Sequence, residues 1–283
     1  MQQTIQWFPG HMTKTRRQME KVLPLVDAVV ELRDARVPEA SANPELGKLI
    51  GSKPRLVILN KADMADPQTT DKWLQHLHRQ GLSAVAMDSK SGRNVQAFVP
   101  ALLALLKDKR EAMARKGIVG RPMYAMVAGI PNVGKSSFIN RVSKGSRAKV
   151  EDRPGVTRGN QWFTVDKQLQ LLDTPGVLWP KFSDQMVAQH LAYTGAIKDD
   201  ILDIEEIACG LLQILSQRYA AQLAARYKLA EPLPQDAYQL LETIAQKRGM
   251  KISGGEVDSE RAARMVLDEF RSTLIGRISL EQP

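Results

Sequence analysis

A chain of 283 residues has room for one medium and one small domain, and its 43% hydrophobic share excludes a wholly disordered polypeptide. No run approaches the ~20 apolar residues that span a bilayer. The start, Met1-Gln2-Gln3-Thr4, shows no signal peptide, and the lone Cys209 excludes an intrachain disulfide or a cysteine zinc site, so a reducing cytoplasm and no membrane partner are expected. Lys+Arg 40 against Asp+Glu 31 leaves a net charge of +9, which favours a polyanionic partner, nucleic acid before acidic membrane.

In chain order, residues 28–33, 55–59, 84–87 and 123–128 are short apolar runs bounded by breakers, as buried parallel strands are. Between them Val95, Phe98, Val99, Leu102, Leu103 and Leu106 recur at helical spacing. The tract 107–122, rich in Lys and Arg, reads as the end of that helix and then a connector. Residues 162–165 and 169–172 predict two strands around the turn Asp166-Lys167-Gln168, adding an antiparallel edge. After Lys198 the strand signals stop, and 203–227, 235–248 and 258–275 are helical by period. The fold class is therefore α/β, a doubly wound, mostly parallel sheet over 1–198, with a small all-helical C-terminal domain over 199–283.

Gly129-Ile130-Pro131-Asn132-Val133-Gly134-Lys135-Ser136 fits the P-loop pattern, and it follows a strand and opens a helix. The glycines let backbone N–H groups turn inward around phosphates, and the helix N-terminus adds positive potential. Residues Asn132 to Ser137 are the expected phosphate cradle. Lys135 reaches the β- and γ-phosphates, and Ser136 offers its hydroxyl to Mg²⁺. Asp173-Thr174-Pro175-Gly176 follows an apolar strand. Asp173 suits a Mg²⁺-bound water and the Gly176 N–H suits a γ-phosphate, although the same string also fits a plain turn. Thr157, in Pro154-Gly155-Val156-Thr157-Arg158, is placed to close over the metal when a γ-phosphate is present.

Asn60-Lys61-Ala62-Asp63 sits directly after the strand 55–59. The Asp63 carboxylate can accept from N1–H and the N2 amino group of guanine, where adenine offers an acceptor and no amino group. Asn60 fixes the base and loop, and Lys61 lies over the ring. Asp88 and Ser89, after the third strand, are either a second wall to the base or an ordinary β–α turn. The ligand is thus GTP or GDP.

These motifs resemble those of translation-factor-like G proteins, but here Asn60 and Asp63 precede Gly129, so the chain reads as circularly permuted, with 107–122 as the join. The new cut falls after Gly176, which connects the γ-phosphate sensor to the helical domain and gives nucleotide state a way to move it. With Trp7-Phe8-Pro9-Gly10-His11-Met12 and Asp34-Ala35-Arg36-Val37-Pro38 added, nearly the whole chain resembles the bacterial ribosome biogenesis GTPase A family. The resemblance implies a GTP hydrolase stimulated by the large ribosomal subunit and acting late in its assembly. It also implies a C-terminal module similar to the ANTAR RNA-binding fold, with ribosomal RNA as a partner. A monomer is expected. Asn132 resembles the asparagine that binds K⁺ in related G proteins.

Where many G proteins place a water-orienting glutamine, this chain has Val177 and Leu178, and the resemblance places it among GTPases with a hydrophobic residue there. Another group must orient the water. His11 is the candidate, since a neutral imidazole can orient or accept a proton from water near pH 7; it also fits an RNA-contact, surface or helix-capping histidine. For RNA, the cations Lys14, Arg16, Arg17 and Lys21 crowd the start. In the last helix Ala263, Val266, Leu267, Phe270 and Leu274 form the expected buried stripe, with Arg261, Arg264 and Arg271 on the other side. A nucleotide-dependent RNA-binding module with little catalysis is the second reading of the whole.

Overall fold

The computed structural model describes residues 17, 19–143, 161–176, 178, 182, 184–252 and 254–283. The chain forms two compact units, one of Phe8–Pro180 with Glu281–Pro283, the other taking in Lys181–Leu280.

The first unit is built on β1 (Ala28–Asp34), β2 (Arg55–Asn60), β3 (Ser83–Ala86), β4 (Met123–Gly129), β5 (Gln161–Asp166) and β6 (Leu169–Asp173). They form one sheet in the order β3-β2-β1-β4-β6-β5, parallel except for β5 against β6. β1 is buried along its whole length, as a central strand of a doubly wound sheet must be. Around the sheet lie α1 (Pro44–Ile50), α2 (Pro67–Arg79), α3 (Phe98–Leu105), α4 (Lys107–Arg115) and α5 (Lys135–Val142). Asn43 and Asp66 cap α1 and α2 by accepting from the N–H groups of Glu45 and Thr69, each with a proline at the first helical position. Trp73 and Leu77 of α2 bury against Val57, Leu59 and Ala84. Phe98 of α3 meets Phe138 of α5 edge-on at 4.9 Å.

Residues 281–283 return to this unit. The Glu281 carboxylate accepts from the N–H groups of Glu39 (2.7 Å) and Ala40 (3.0 Å), and its carbonyl accepts from Trp73 Nε1 (3.3 Å).

The apolar run from Val95 is helical as expected; it opens on a 3-10 turn, Val95–Ala97, after the left-handed Asn94 (φ 59), and buries Phe98, Leu102 and Leu106. One expectation needs correction here. The tract after Leu106 is a helix of its own, α4, separated by the non-helical dihedrals of Leu106 (φ −99, ψ 11), and none of its residues is buried.

The second unit contains α6 (Gln185–Tyr193), α7 (Ile204–Arg218), α8 (Ala220–Tyr227), α9 (Ala237–Lys247) and α10 (Ser259–Arg271). Asp184, Asp203, Asp236 and Asp258 each accept a backbone N–H two or three residues on, capping four of the five. The period over 203–227 resolves into two helices, broken at Tyr219 (φ −136, ψ 34), whose hydroxyl donates to the Ser279 carbonyl (2.9 Å) and accepts from its N–H (3.1 Å). α6 was not among the expected elements. α10 buries Ala263, Val266, Leu267 and Phe270, but Leu274 lies beyond its end and is half exposed.

Arg271 is not an RNA-facing cation. It forms a bidentate pair with Asp199 (2.8 and 2.8 Å) and donates to the carbonyls of Ala192 and Tyr193, so it fastens α10 to α6 and the following turn. Glu269 is likewise structural. Burial opposes its ionisation, but hydrogen bonds from Arg226, with Arg248 nearby, hold its carboxyl below the usual range. Cys209 is buried, and burial with surrounding carboxylates pushes its thiol up to about 12, which leaves it unreactive.

Candidate functional site

Parallel pairing brings the ends of β1, β2, β3, β4 and β6 to one edge of the sheet. Across it Asp34 lies opposite Asn60, Leu59 opposite Ala86, and Val127 opposite Asp173. The carboxyl edge of such a sheet is where ligands bind, at the point where strand order reverses. Here that point lies between β1 and β4, so the loop after β4 and the loop after β2 flank β1.

Gly134 opens α5 with φ +97, and a Cβ there would strike the side-chain amide of Asn60. That approach is used. Asn60 Nδ2 donates to the Val133 carbonyl at 2.8 Å, while its Oδ1 accepts from the Ser89 N–H (3.1 Å) and the Ser89 hydroxyl (2.7 Å). One buried amide thus joins the base loop, the loop after β3 and the phosphate loop. Asp88 is engaged within its own turn, accepting from the N–H groups of Lys90 (2.8 Å) and Ser91 (3.1 Å). Burial opposes its ionisation, but those hydrogen bonds hold its carboxyl below the usual range. Arg141 of α5 donates to the carbonyls of Ser89 and Lys90, pinning the same turn from the helix side.

Lys61 is left-handed (φ 59), and its ammonium stands 3.0 Å from Asp34. Asp34 also holds Arg36 through two side-chain bonds, 2.9 and 2.8 Å, and accepts from the Arg36 N–H. Burial would raise the Asp34 carboxyl, but Arg36 and Lys61 more than reverse this and hold it far below the carboxylate range. The charge of Lys61 is therefore already engaged behind the base loop. This support from Asp34 and Arg36 had no signal in residue type alone; it follows from the Asp34–Asn60 register. Ala62 donates its N–H to the Met87 carbonyl, and Asp63 follows it, half-buried, at the mouth of the loop.

On the phosphate side, burial lowers the Lys135 ammonium and Asp173 raises it, while burial raises the Asp173 carboxyl and Lys135 offsets part of the rise. The two lie within electrostatic reach of each other. Ser136, Ser137 and Asn132 are exposed at its rim, and Asn132 is left-handed (φ 57). Gly176 packs against the P-loop, where a Cβ would lie 3.1 Å from the Pro131 backbone.

The donor chemistry fits Mg²⁺. Asp173 Oδ1 is buried with no hydrogen-bond partner, and the Ser136 hydroxyl is open. Among the described residues no group of three His, Cys, Asp or Glu could cage a metal alone, as suits an ion held partly by phosphates. Thr157 and His11, along with Val177, lie outside the described residues, as do Lys14 and Arg16. No helix among the described residues is long and apolar enough to cross a membrane.

A sequence profile described as a 50S ribosome-binding GTPase matches residues 124–244, starting at β4 and so leaving the base motif ahead of it. The chain is 47% identical over 281 residues to ribosome biogenesis GTPase A of Priestia megaterium, covering 99% of this chain and 97% of that protein. It is 32% identical to the protein of that name from Thermotoga maritima, with 98% and 94% covered. It is 35% identical to mitochondrial ribosome-associated GTPase 1 of Mus musculus, with 98% and 90% covered. Among solved structures, the GDP-bound form of TM YlqF superposes with a TM-score of 0.66 at 28% identity, covering 94% of this chain and 99% of that one. GNP-bound YlqF from T. maritima gives 0.65 at 28%, covering 95% and 98%.

Proposed function

Because this chain belongs to the ribosome biogenesis GTPase A family, and is therefore a GTP hydrolase of ribosome assembly, we propose that it turns over GTP on the large ribosomal subunit, late in that subunit's assembly. The observation that carries the site is the 2.8 Å bond from Asn60 to the Val133 carbonyl, which sets the guanine-reading loop against the phosphate cradle. The net charge of +9 and the 50S-binding description of the matching family support a large-subunit RNA partner. On this reading the protein works as a monomer in the cytoplasm, away from membranes.

In this mechanism Asp63 accepts from the guanine N1–H and N2 amino group, with Asn60, Lys61, Ala62, Asp88 and Ser89 shaping the base pocket. Backbone N–H groups from Asn132 to Ser137 surround the phosphates, and the Lys135 ammonium sits on the β- and γ-oxygens. Ser136, Thr157 and Asp173 would hold Mg²⁺, which when bound would supply positive charge beside the phosphates. Gly176 donates its N–H to the γ-phosphate. Lys135 stabilises the charge that develops on the γ-phosphoryl oxygens, and His11 orients the attacking water.

His11→Ala therefore lowers subunit-stimulated turnover by about 10²-fold while GTP affinity stays within a factor of two to three; unchanged stimulated turnover removes His11 from the mechanism. Asn132 with the γ-phosphate suits K⁺, and the GTPase rate should be several-fold higher in K⁺ than in Na⁺ at equal ionic strength. Equal rates remove K⁺. The functional reading itself is tested by sedimenting the protein with ribosomal particles in GDP and in a non-hydrolysable GTP analogue. Co-sedimentation with large-subunit particles in the triphosphate state supports it, and absence from those particles in both states overturns it.

A further inference from the structure

The edge of the sheet opposite the nucleotide loops concentrates positive charge that the mechanism does not use. Residues 107–122 carry six lysines and arginines against two carboxylates. Four of these cations lie on α4, a helix with no buried residue. Lys53 and Arg121, just ahead of β2 and β4, and Lys167, in the β5–β6 turn, lie at the same edge. At its centre one buried carboxylate, Asp27, receives both Lys109 (2.7 Å) and Arg121 (3.1 Å), while Lys53 donates to the neighbouring Val26 carbonyl (2.7 Å). Burial and the nearby Lys109 ammonium both lower the Lys53 ammonium, so three cations crowd a single anion. Arg115, Lys116 and Lys167 have no carboxylate partner among the described residues.

Between α4 and the β5–β6 turn lies an open groove of about 650 Å³, whose lining includes the cations Lys107, Arg110, Arg121 and Lys167, the carboxylate of Glu111 and the apolar Val119. Its lip is the loop from Gly117 to Gly120, both left-handed, which holds Val119 85% exposed and Ile118 47% exposed. Apart from the three gathered at Asp27, the cations are spread along α4, its C-terminal end and the β5–β6 turn. That distribution suits a polyanion running across the surface, and it does not suit a single small anion.

We propose that this amino edge of the sheet, with α4 and its groove, is a phosphate-gripping face that holds the backbone of folded ribosomal RNA. It rests on the reading that the protein works on the large subunit, and it assigns the GTPase unit its own RNA contact, on the side away from GTP. Recognition here is by shape and phosphate, because among the described residues no aromatic ring lines the groove for base stacking.

The test uses the full chain with protein-free, Mg²⁺-refolded large-subunit rRNA, and separately with large-subunit particles, titrated at several salt concentrations. The combined variant Lys107→Ala, Arg115→Ala, Lys116→Ala and Lys167→Ala should bind the RNA about tenfold or more weakly, with a salt slope shallower by about two to three. Its GTP affinity and thermal midpoint should match the wild type, and Lys72→Ala with Arg79→Ala on α2 should leave RNA binding intact. Wild-type binding with an unaltered constant and slope in the combined variant overturns this face alone. Weakened binding to particles with unchanged binding to naked rRNA also overturns it, because the partner is then a protein. A wild type that binds neither rRNA nor particles overturns the large-subunit reading together with it.

Discussion

Asp63→Asn should lower GTP affinity by about 10²–10³-fold and raise affinity for xanthosine triphosphate over the wild type. Each charge-assisted bond from guanine to the carboxylate contributes about 1.5–3 kcal/mol, and ~1.4 kcal/mol is tenfold in binding. The amide presents one acceptor and one donor. Guanine, with two donors on that edge, then meets an N–H against an N–H. Xanthine offers one N–H and one carbonyl oxygen there, which the amide matches. Displacement of a fluorescent guanine nucleotide by GTP and by xanthosine triphosphate reads both changes. An unaltered preference would mean that the loop after β2 does not read the base.

Asp34→Asn should cost about 3–5 kcal/mol of stability, because Arg36 is 1% exposed and would lose the carboxylate that holds it through two side-chain bonds. The unfolding midpoint should fall on the order of 10 °C. The pH dependence has a definite sign. The folded carboxyl lies well below its ordinary value of 3.8, since Arg36 and Lys61 outweigh burial. The stabilisation is therefore complete above that ordinary value and is lost as pH falls through the lowered one. The gap between wild type and variant should hold constant around neutrality and shrink below about pH 4. Calorimetric scans across that range check both parts, and a wild-type midpoint shared by the variant at pH 7 would show that the pair contributes nothing net.

The P-loop, Asp173-Thr174-Pro175-Gly176 and the proposed base motif stand out in sequence because each is a local string whose chemistry needs neighbours in sequence. The parallel sheet was legible from apolar runs, and the β5–β6 hairpin from the turn at Asp166. What stayed hidden depends on register or on breaks without a breaker residue. Nothing in Asp34 or Arg36 reveals that the first lies opposite Asn60 and so reaches Lys61. Ser89 and Arg141 reach their partners across 29 and 52 residues of chain. The breaks at Leu106 and Tyr219 carry no glycine or proline to announce them. Arg271 misled because helical period separates a buried side from the rest, yet a cation at the boundary can turn inward to a carboxylate such as Asp199.

The Asn60 amide has an implication for how nucleotide states are told apart. It locks three loops together through the chain's own atoms, so that socket exists before any ligand arrives, and docking guanosine and the first phosphates costs little ordering entropy. A rigid seat of this kind has no means to distinguish a spent nucleotide from a fresh one. On the proposed mechanism, sensing the difference falls to the far end of the ligand, where Gly176 lies so close to the Pro131 backbone that a Cβ would meet it at 3.1 Å. If that mechanism holds, occupancy and signalling are divided between two ends of one molecule of GTP.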